Sequence, residues 1–569
     1  TKSAKLGFKT TRRFKFDPTQ ITKIGLGSNL TSSTFWPPRE EGLASGPAGT
    51  AKVVAIDLDN GFVDLDIRSE TADATNPTSV FEQEFFSKAQ FEDALIEFAQ
   101  LVNAEDFTAH QAAHDILGLL APRFTGDFDL LKVSESLVVS PTEIADAIHH
   151  LDNSYLVIQG PPGTGKTYSS ANAILELVKR GHRIGITANT HAAAHQLLSE
   201  IARFAADHGF TQDSPVRIAV KPKEGEVQPA FNQTSVDVKF VKDAKKVAAT
   251  LSDFNIVVGT SYLFSNAAMR SSVDTLIIDE AGQLSLADSL AVSLAARNTV
   301  LVGDPQQLKQ PTRASHPGTS GLSGLEHINQ GHDVVPPEYG ILLRVTRRMH
   351  PEIAKFISEQ VYEGKLEADP PCANQRIGEG GLVSGSGLYW LPVQHEGCSV
   401  RSVAEVAAVV KIYASVLGKQ FTDKHGNTRP IEPRDIFVIA PYNAQVQELR
   451  RQLLANPVAV SFRVTEDSLR QRVGTVDKAQ GSEAPIVLVS YTSSSANDIP
   501  RNFEFLYSKN RFNVAVSRAQ AITVVVASPE LLNVNCKTID QVRLANMLCR
   551  YVEMATPLTI VDFAQTTTK

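Results

Sequence analysis

The stretch GPPGTGKT at 160–167 follows the apolar run SYLVIQ and precedes SSANAILELVKR, whose apolar residues recur three and four apart. Strand, glycine-rich loop and helix form the context in which backbone N–H groups close around phosphate oxygens at a helix N-terminus. Gly160, Gly163 and Gly165 give the loop its backbone freedom, and Pro161, Pro162 and Thr164 complete it. Lys166 is then the cation for β- and γ-phosphates, and Thr167 the hydroxyl for magnesium. LIIDEAGQ supplies a second group, an apolar strand that ends in Asp279 and Glu280. At the C-terminal edge of a sheet, Asp279 suits a water-mediated magnesium contact, and Glu280 suits orienting or deprotonating an attacking water. Hydrolysis of a nucleoside triphosphate is the chemistry these groups suit together. A third candidate is NRFNVAVSRAQ at 510–520, where Arg511 and Arg518 stand seven residues apart. On a helix that is about two turns, so both guanidinium groups are expected to leave one face, toward something anionic.

The elements that must position these residues come from a long, acidic chain. At 569 residues it exceeds one ordinary core, so two to four domains are expected. With 55 Lys+Arg against 62 Asp+Glu the net charge is −7, which excludes a globally basic coat for nucleic acid or anionic lipid and makes any phosphate-binding surface local. Cys372, Cys398, Cys536 and Cys549 are too scattered for a zinc pair and too few for a disulfide framework, so a reducing, cytoplasmic compartment is expected. No apolar run approaches the roughly 18 residues of a membrane span, and the first residues given do not read as the apolar core of a signal peptide, so neither a spanning nor an exported chain is expected. A start at Thr1 rather than Met is expected of a processed or excised chain, which leaves open whether domains lie upstream.

Residues 1–80 read as β structure, with FKTTRRFKF alternating in part and two β-rich runs around Asp59-Asn60-Gly61. A small β-barrel is expected there. Residues 81–150 turn helical, as in FEQEFFSKAQFEDALIEFAQLV, and lead into the next domain. From 151 to 335, SYLVIQ, RIGITAN, FNIVVGT, VDTLIIDE and NTVLVGD alternate with helical stretches, the pattern of an α/β domain with a parallel sheet. DIFVIAP, APIVLVSY and AITVVVASP repeat it between 336 and 555. Residues 556–569 are expected to form a C-terminal tail, whose last residues, QTTTK, are expected to be disordered.

VLVGDPQQLKQ at 300–310, RRMHPEI at 347–353, APYNAQ at 440–445, VGTVDKAQGSE at 473–483 and NRFNVAVSRAQ follow the phosphate loop and LIIDEAGQ in this order. The series resembles superfamily 1 helicases of the up-frameshift branch, over roughly residues 150–530. The resemblance implies two RecA-like domains, ATP and Mg2+ as cofactors, and single-stranded nucleic acid as partner, DNA favoured over RNA. It implies that Gln307 senses the γ-phosphate, and that Arg348 and Arg518 reach across from the second domain to stabilise charge on the transferred phosphoryl group. Arg347, Tyr442 and Glu483 fall at nucleotide-binding positions. The branch commonly has an aromatic residue that stacks on adenine where Arg347 stands, and a guanidinium can stack in its place. The adenine-reading glutamine of the branch has no counterpart in SPTEIADAI.

Thr187, Asn189 and Thr190 in TANTHAAAHQLL, with Thr260 and Ser261 in GTSYLF, resemble the family's strand-contacting positions. His191 and His195 lack an evident third metal ligand and read as surface or groove contacts. Residues 203–250 resemble a helical insertion in the first core domain. The N-terminal β segment and SHPGTSGLSGLEHI resemble the helicase half of bacterial fusions with a RecB-like nuclease, so a nuclease domain or subunit is an expected partner. The 5′-to-3′ direction belongs to the same branch. An alternative function, a phosphate-loop ATPase that remodels protein or switches state without nucleic acid, is separated by whether single strands stimulate hydrolysis.

Overall fold

The structure, a computed structural model, describes residues 8–17, 24–32, 49–57, 60–69, 77–82, 88–222, 231–310, 316–500 and 502–559. They fall into two compact units, Thr1–Lys88 and Ala89–Lys569.

In the first unit, alternation of apolar and polar residues produces an antiparallel sheet in the order Phe8–Lys15, Phe62–Ser69, Gly49–Asp57, Asn29–Thr31, Phe81–Glu82. Ala51, Val53, Val63, Leu65 and Ile67 bury one face, while Arg13 and Asp64 pair across the strands at 2.7 Å on the other. The turn between the two central strands uses Gly61 at φ +69, and the Asn60 backbone donates to the Asp57 carboxylate. Asp59 lies outside the described residues. Among those residues the edge strands Phe8–Lys15 and Phe81–Glu82 do not pair with one another, so the described strands form an open sheet and do not by themselves close the expected barrel. Because Phe81–Glu82 pairs with Asn29–Thr31, the unit runs to Lys88 rather than ending at 80.

The second unit begins with four helices, Ala89–Asn103, Gln111–Gly118, Leu130–Ser134 and Pro141–His149; the middle two pack on the first of two parallel sheets, and the outer two on the helices Leu286–Ser293 and Lys166–Lys179. Their apolar stripes, for example Phe91, Ala94 and Phe98, are buried in that domain's core, so this segment is part of the domain rather than a linker to it. The first sheet has the order Gly340–Leu342, Tyr155–Gln159, Ala296–Gly303, Val273–Asp279, Ile184–Ala188, Ile256–Thr260, Val216–Val220, Val236–Phe240. Its central strands are buried on both faces, as near-continuous runs such as LIID require. Two expectations change here. Among its described residues the region 203–250 holds two strands, VRIAV and VDVKF, which extend the sheet, and VKDAKKVAATL yields only the short helix Ala244–Ala249. β-branched residues in alternation outweigh the lysine- and alanine-rich stretch that suggested a helix. The sheet also takes Gly340–Leu342 as an edge strand, beyond the expected boundary at 335.

The second parallel sheet has the order Val473–Gly474, Ile436–Ile439, Ala484–Ser490, Ala519–Ala527, Gly387–Pro392, Thr556–Pro557. Thr556–Pro557 pairs with Tyr389 and Trp390, so residues 556–557 are a sheet edge, and 560–569 lie outside the described residues. No described helix is long and apolar enough to cross a membrane.

Candidate nucleotide site between the two parallel sheets

The loop after Tyr155–Gln159 turns into helix Lys166–Lys179, with Gly165 as N-cap at φ +83. Two glycines here have no substitute. A Cβ on Gly160 would lie 2.0 Å from Lys166 Cγ, and one on Gly163, at φ +77, would lie 2.5 Å from Arg348 Cβ. Thr164 is buried and ties the loop to itself, donating to the Pro161 carbonyl at 2.8 Å. Lys166 Nζ donates to the Gly160 carbonyl at 2.6 Å, which holds the ammonium over the loop.

Pro161, Pro162, Gly163, Gly165, Lys166 and Thr167 line one cleft together with Asp279, Glu280, Gln307, Arg348, Glu483 and Arg518. Successive residues of a strand point to opposite faces. Glu280 escapes that rule because it takes a left-handed conformation, φ +51, immediately after strand Val273–Asp279, so both carboxylates meet the same cleft. For a non-glycine residue this backbone is strained, and such strain gathers at functional sites. Burial, and then the neighbouring Glu280, push the Asp279 carboxyl above its ordinary range. Two oxygen donors, Thr167 and Asp279, beside a crowded pair of carboxyls are a donor set that fits Mg2+.

The opposite wall carries the arginines. Arg518 is 2% exposed, and its guanidinium donates to the Val514 and Ser482 carbonyls and, at 3.3 Å, to Gln307 Oε1. Burial, helped by the Arg348 charge, pushes it down to about 9, with Glu280 opposing. Helix Lys509–Val516 ends before Arg518, which lies in the link to strand Ala519–Ala527. The two arginines of NRFNVAVSRAQ therefore do not share a helix face. Arg511 instead pairs with Asp477 at 3.0 Å and lies over the Phe505 ring at 4.6 Å.

Arg348 is not on the second sheet either. It belongs to the link between domains, which is pinned to the phosphate loop by Arg347 N–H donating to Gly163 O at 2.8 Å and Thr346 Oγ1 donating to Pro162 O at 2.9 Å. Its Nε pairs with Glu483 at 2.7 Å. The Arg347 side chain is half exposed, 3.5 Å from the Thr164 carbonyl and 3.9 Å from Asp369. Tyr442 does not line the cleft. It is 2% exposed and stacked on Phe505, because it caps helix Asn443–Ala455 with its ring turned into the second domain.

The strand-contact candidates converge on one sheet edge, since Ile184–Ala188 and Ile256–Thr260 are adjacent and Ala188 pairs with Thr260. Asn189 and Thr190 are exposed there; Thr190 also caps helix His191–Phe204 by accepting from Ala193 N–H. Thr260 is half-buried. Thr187 is wholly buried in its strand and Ser261 is buried as well, so neither offers a surface to a strand. His191 and His195 have ring centroids 6.1 Å apart, and no described cluster of three or more His, Cys, Asp or Glu side chains surrounds a metal position.

Four residues behind the cleft, around the turn that carries Gln307, carried no prior expectation: Asp304, Tyr362, Asn510 and Asn513. Asp304 follows a buried strand within VLVGDPQQ, the same signal that singled out Asp279. The other three are distant in sequence and meet the loop 304–307 only through the packing of the two domains.

A phosphate loop, a strand-end carboxylate pair, Arg348 from the link between domains and Arg518 from the turn before a strand of the second parallel sheet define a two-domain phosphate-loop ATPase architecture. Two family models described as AAA domain match residues 140–317 and 322–530. These matches and the relatives below make the chain similar to superfamily 1 helicases of the up-frameshift-like branch. It is 27% identical over 425 residues to the human protein named DNA replication ATP-dependent helicase/nuclease DNA2, spanning 67% of this chain and 36% of that one. It is 27% identical over 427 residues to the Regulator of nonsense transcripts 1 homolog of Drosophila melanogaster, spanning 68% of this chain and 34% of that one. The chain thus spans little more than a third of the length of these relatives.

Proposed function

We propose that the protein is an ATP-driven motor that moves on single-stranded nucleic acid and separates strands. One observation carries the reading: Arg518, from the second domain, donates to Gln307 of the first inside the cleft that holds Lys166 and Glu280. Hydrolytic groups divided between two domains make turnover depend on closure of the cleft, and closure is the movement a motor needs.

In this reading Lys166 binds the β- and γ-phosphates, and Gly160 to Gly165 cradle them with Pro161, Pro162 and Thr164. Glu280 takes the proton of the attacking water, and Gln307 reports the γ-phosphate. Arg348 and Arg518 stabilise charge spreading over the transferred oxygens. Thr167 and Asp279 would hold Mg2+, which neutralises phosphate charge when bound. Arg347 and Glu483 serve the nucleoside end. Asn189, Thr190 and Thr260 are the contacts proposed for the single strand. DNA is the track favoured, supported by the name of the human relative. The 5′-to-3′ direction is supported by the short spacing between Arg348 and Val473, which holds the strands Gly387–Pro392 and Ile436–Ile439, the helices of the α/β core and small loops, with no large helical insertion. A RecB-like nuclease partner is part of the same proposal. Four unpaired thiols support a reducing compartment such as the cytoplasm.

The test is ATP hydrolysis with and without matched DNA and RNA single strands, followed by unwinding of 5′- and 3′-tailed duplexes. Hydrolysis that no single strand stimulates would favour a switch or remodelling ATPase. Preference for the 3′-tailed duplex would reject the direction.

A further inference from the structure

Asp304 follows strand Ala296–Gly303 and is 3% exposed. Its carboxylate accepts from Gln159 Nε2 at 3.4 Å and Gln306 N at 3.1 Å through one oxygen, and from Gln307 Nε2 at 2.8 Å and the Tyr362 hydroxyl at 2.7 Å through the other. A carboxylate only accepts, so Gln307 must turn its NH2 group toward Asp304. That leaves Oε1 for Arg518, which only donates, and Arg518 sits 3.3 Å from it. The orientation of the Gln307 amide is therefore set from both ends.

Tyr362 is wholly buried at the end of helix Pro351–Val361, which packs on the second parallel sheet. Its hydroxyl gives its proton to Asp304 of the first domain and accepts from Asn513 Nδ2 of the second at 3.0 Å. Asn513 Nδ2 also donates to the Gln306 carbonyl at 2.8 Å, and Asn510 to the Pro305 carbonyl at 2.8 Å. The turn 304–307 is thus gripped by second-domain side chains on the side away from the cleft.

We infer that Tyr362 is a positioning residue that fixes the Gln307 amide, through Asp304, only while the two domains are in contact. The inference rests on the hydrolase reading and deepens it. When the domains part, Tyr362 leaves with its helix and Asp304 loses a partner that shares the same oxygen as Gln307. The amide is then free to turn, and a rotated amide would set N–H against N–H at Arg518. Domain contact and readiness of the γ-phosphate end of the site become one event.

Tyr362→Phe removes the hydroxyl and keeps the ring. In strand-stimulated ATP hydrolysis it should lower kcat about tenfold with KM within about twofold, the pattern of an interaction made in the transition state rather than in binding. In the Gln307→Ala background, Tyr362→Phe should cause no further loss, because the amide it positions is gone. An unchanged kcat, a rise in KM alone, or losses that multiply in the double variant would each overturn the inference. Melting is recorded on the same samples. Should Tyr362→Phe lower the midpoint, Asp304→Asn replaces it in the cycle, and the same kcat loss without further loss beside Gln307→Ala is expected. Absence of hydrolysis by the unaltered protein would overturn the hydrolase reading itself, a result distinct from normal turnover that ignores Tyr362.

Discussion

The first-domain wall of the cleft draws most of its residues from one loop, 161–168, which offers a ligand backbone N–H groups and one lysine, with Asp279, Glu280 and Gln307 beside them. The facing wall draws Arg348, Glu483 and Arg518 from three distant segments and meets it with side-chain charge. The first wall is specified locally, by glycine positions that no side chain can occupy. The second exists only through tertiary packing: Arg518 is anchored by the carbonyls of Val514 and Ser482, and Arg348 by Glu483. A wall built from backbone is permanent and suits binding. Charge delivered by packing between domains comes and goes with their contact, and suits the transition state.

The sharpest way to break this comparison is Arg518→Ala. Turnover should fall by about 10³-fold or more while ATP affinity stays within a few-fold, as for a group acting on the transition state. Arg511→Ala is the control from the same motif. Its guanidinium is occupied by Asp477 and Phe505 and lies outside the cleft, so turnover should stay within about threefold. Equal losses in steady-state hydrolysis by the two variants would erase the distinction.

Glu280→Gln comes next. It preserves shape and the left-handed turn but removes the base, so hydrolysis should drop by about 10²- to 10⁴-fold with nucleotide and strand binding nearly intact. Single-turnover hydrolysis beside equilibrium binding separates the two effects, and normal turnover would remove Glu280 from the chemistry.

Gly163→Ala probes the seam where the walls meet. A methyl group there, at φ +77, would press on Arg348 Cβ at 2.5 Å and on Thr346 Oγ1 at 2.6 Å. Strain of about 1–2 kcal/mol from the backbone alone makes roughly a tenfold loss of kcat/KM the expected outcome. Kinetics indistinguishable from the unaltered protein would show that the link to Arg348 need not sit so close.

How far the sequence reached follows from the same contrast. The phosphate loop, Asp279 with Glu280, and the two parallel sheets were legible because each depends on neighbours in the chain: a strand, a turn and a helix in succession. What depends on packing was not. Tyr442 looked like a cleft residue and is turned into the second domain against Phe505. Thr187 stands at a strand end yet is wholly buried, since a parallel strand in mid-sheet is covered on both faces. The seven-residue spacing of Arg511 and Arg518 suggested one helix face, but no local signal placed the helix end at Val516. Tyr362 had no signal at all, because its partners Asp304 and Asn513 come from opposite sides of the domain contact.

The smallest expected effect concerns the first wall without its ligands. Asp279 is buried beside Glu280, and both burial and that neighbour raise its carboxyl above the ordinary range of the unfolded chain. A carboxyl raised on folding holds its proton in the native state at pH values where the unfolded chain has released it, so stability is lost as pH rises through that interval. Below the unfolded value both states are protonated and nothing is lost. Asp279→Asn removes the titrating group, so in the absence of nucleotide and Mg2+ it should raise the melting temperature by about 1–3 °C at pH 8 and by essentially nothing near pH 4. Saturating Mg2+ and nucleotide should reverse the order at pH 8, because a cation relieves the crowding that the asparagine was spared and binds the ionised carboxylate better than an amide. Calorimetric melting of both proteins at the two pH values, with and without ligand, checks this. A stabilisation that persists at pH 4 would mean the asparagine acts by packing, and that the crowding of Asp279 with Glu280 does not tax the empty site.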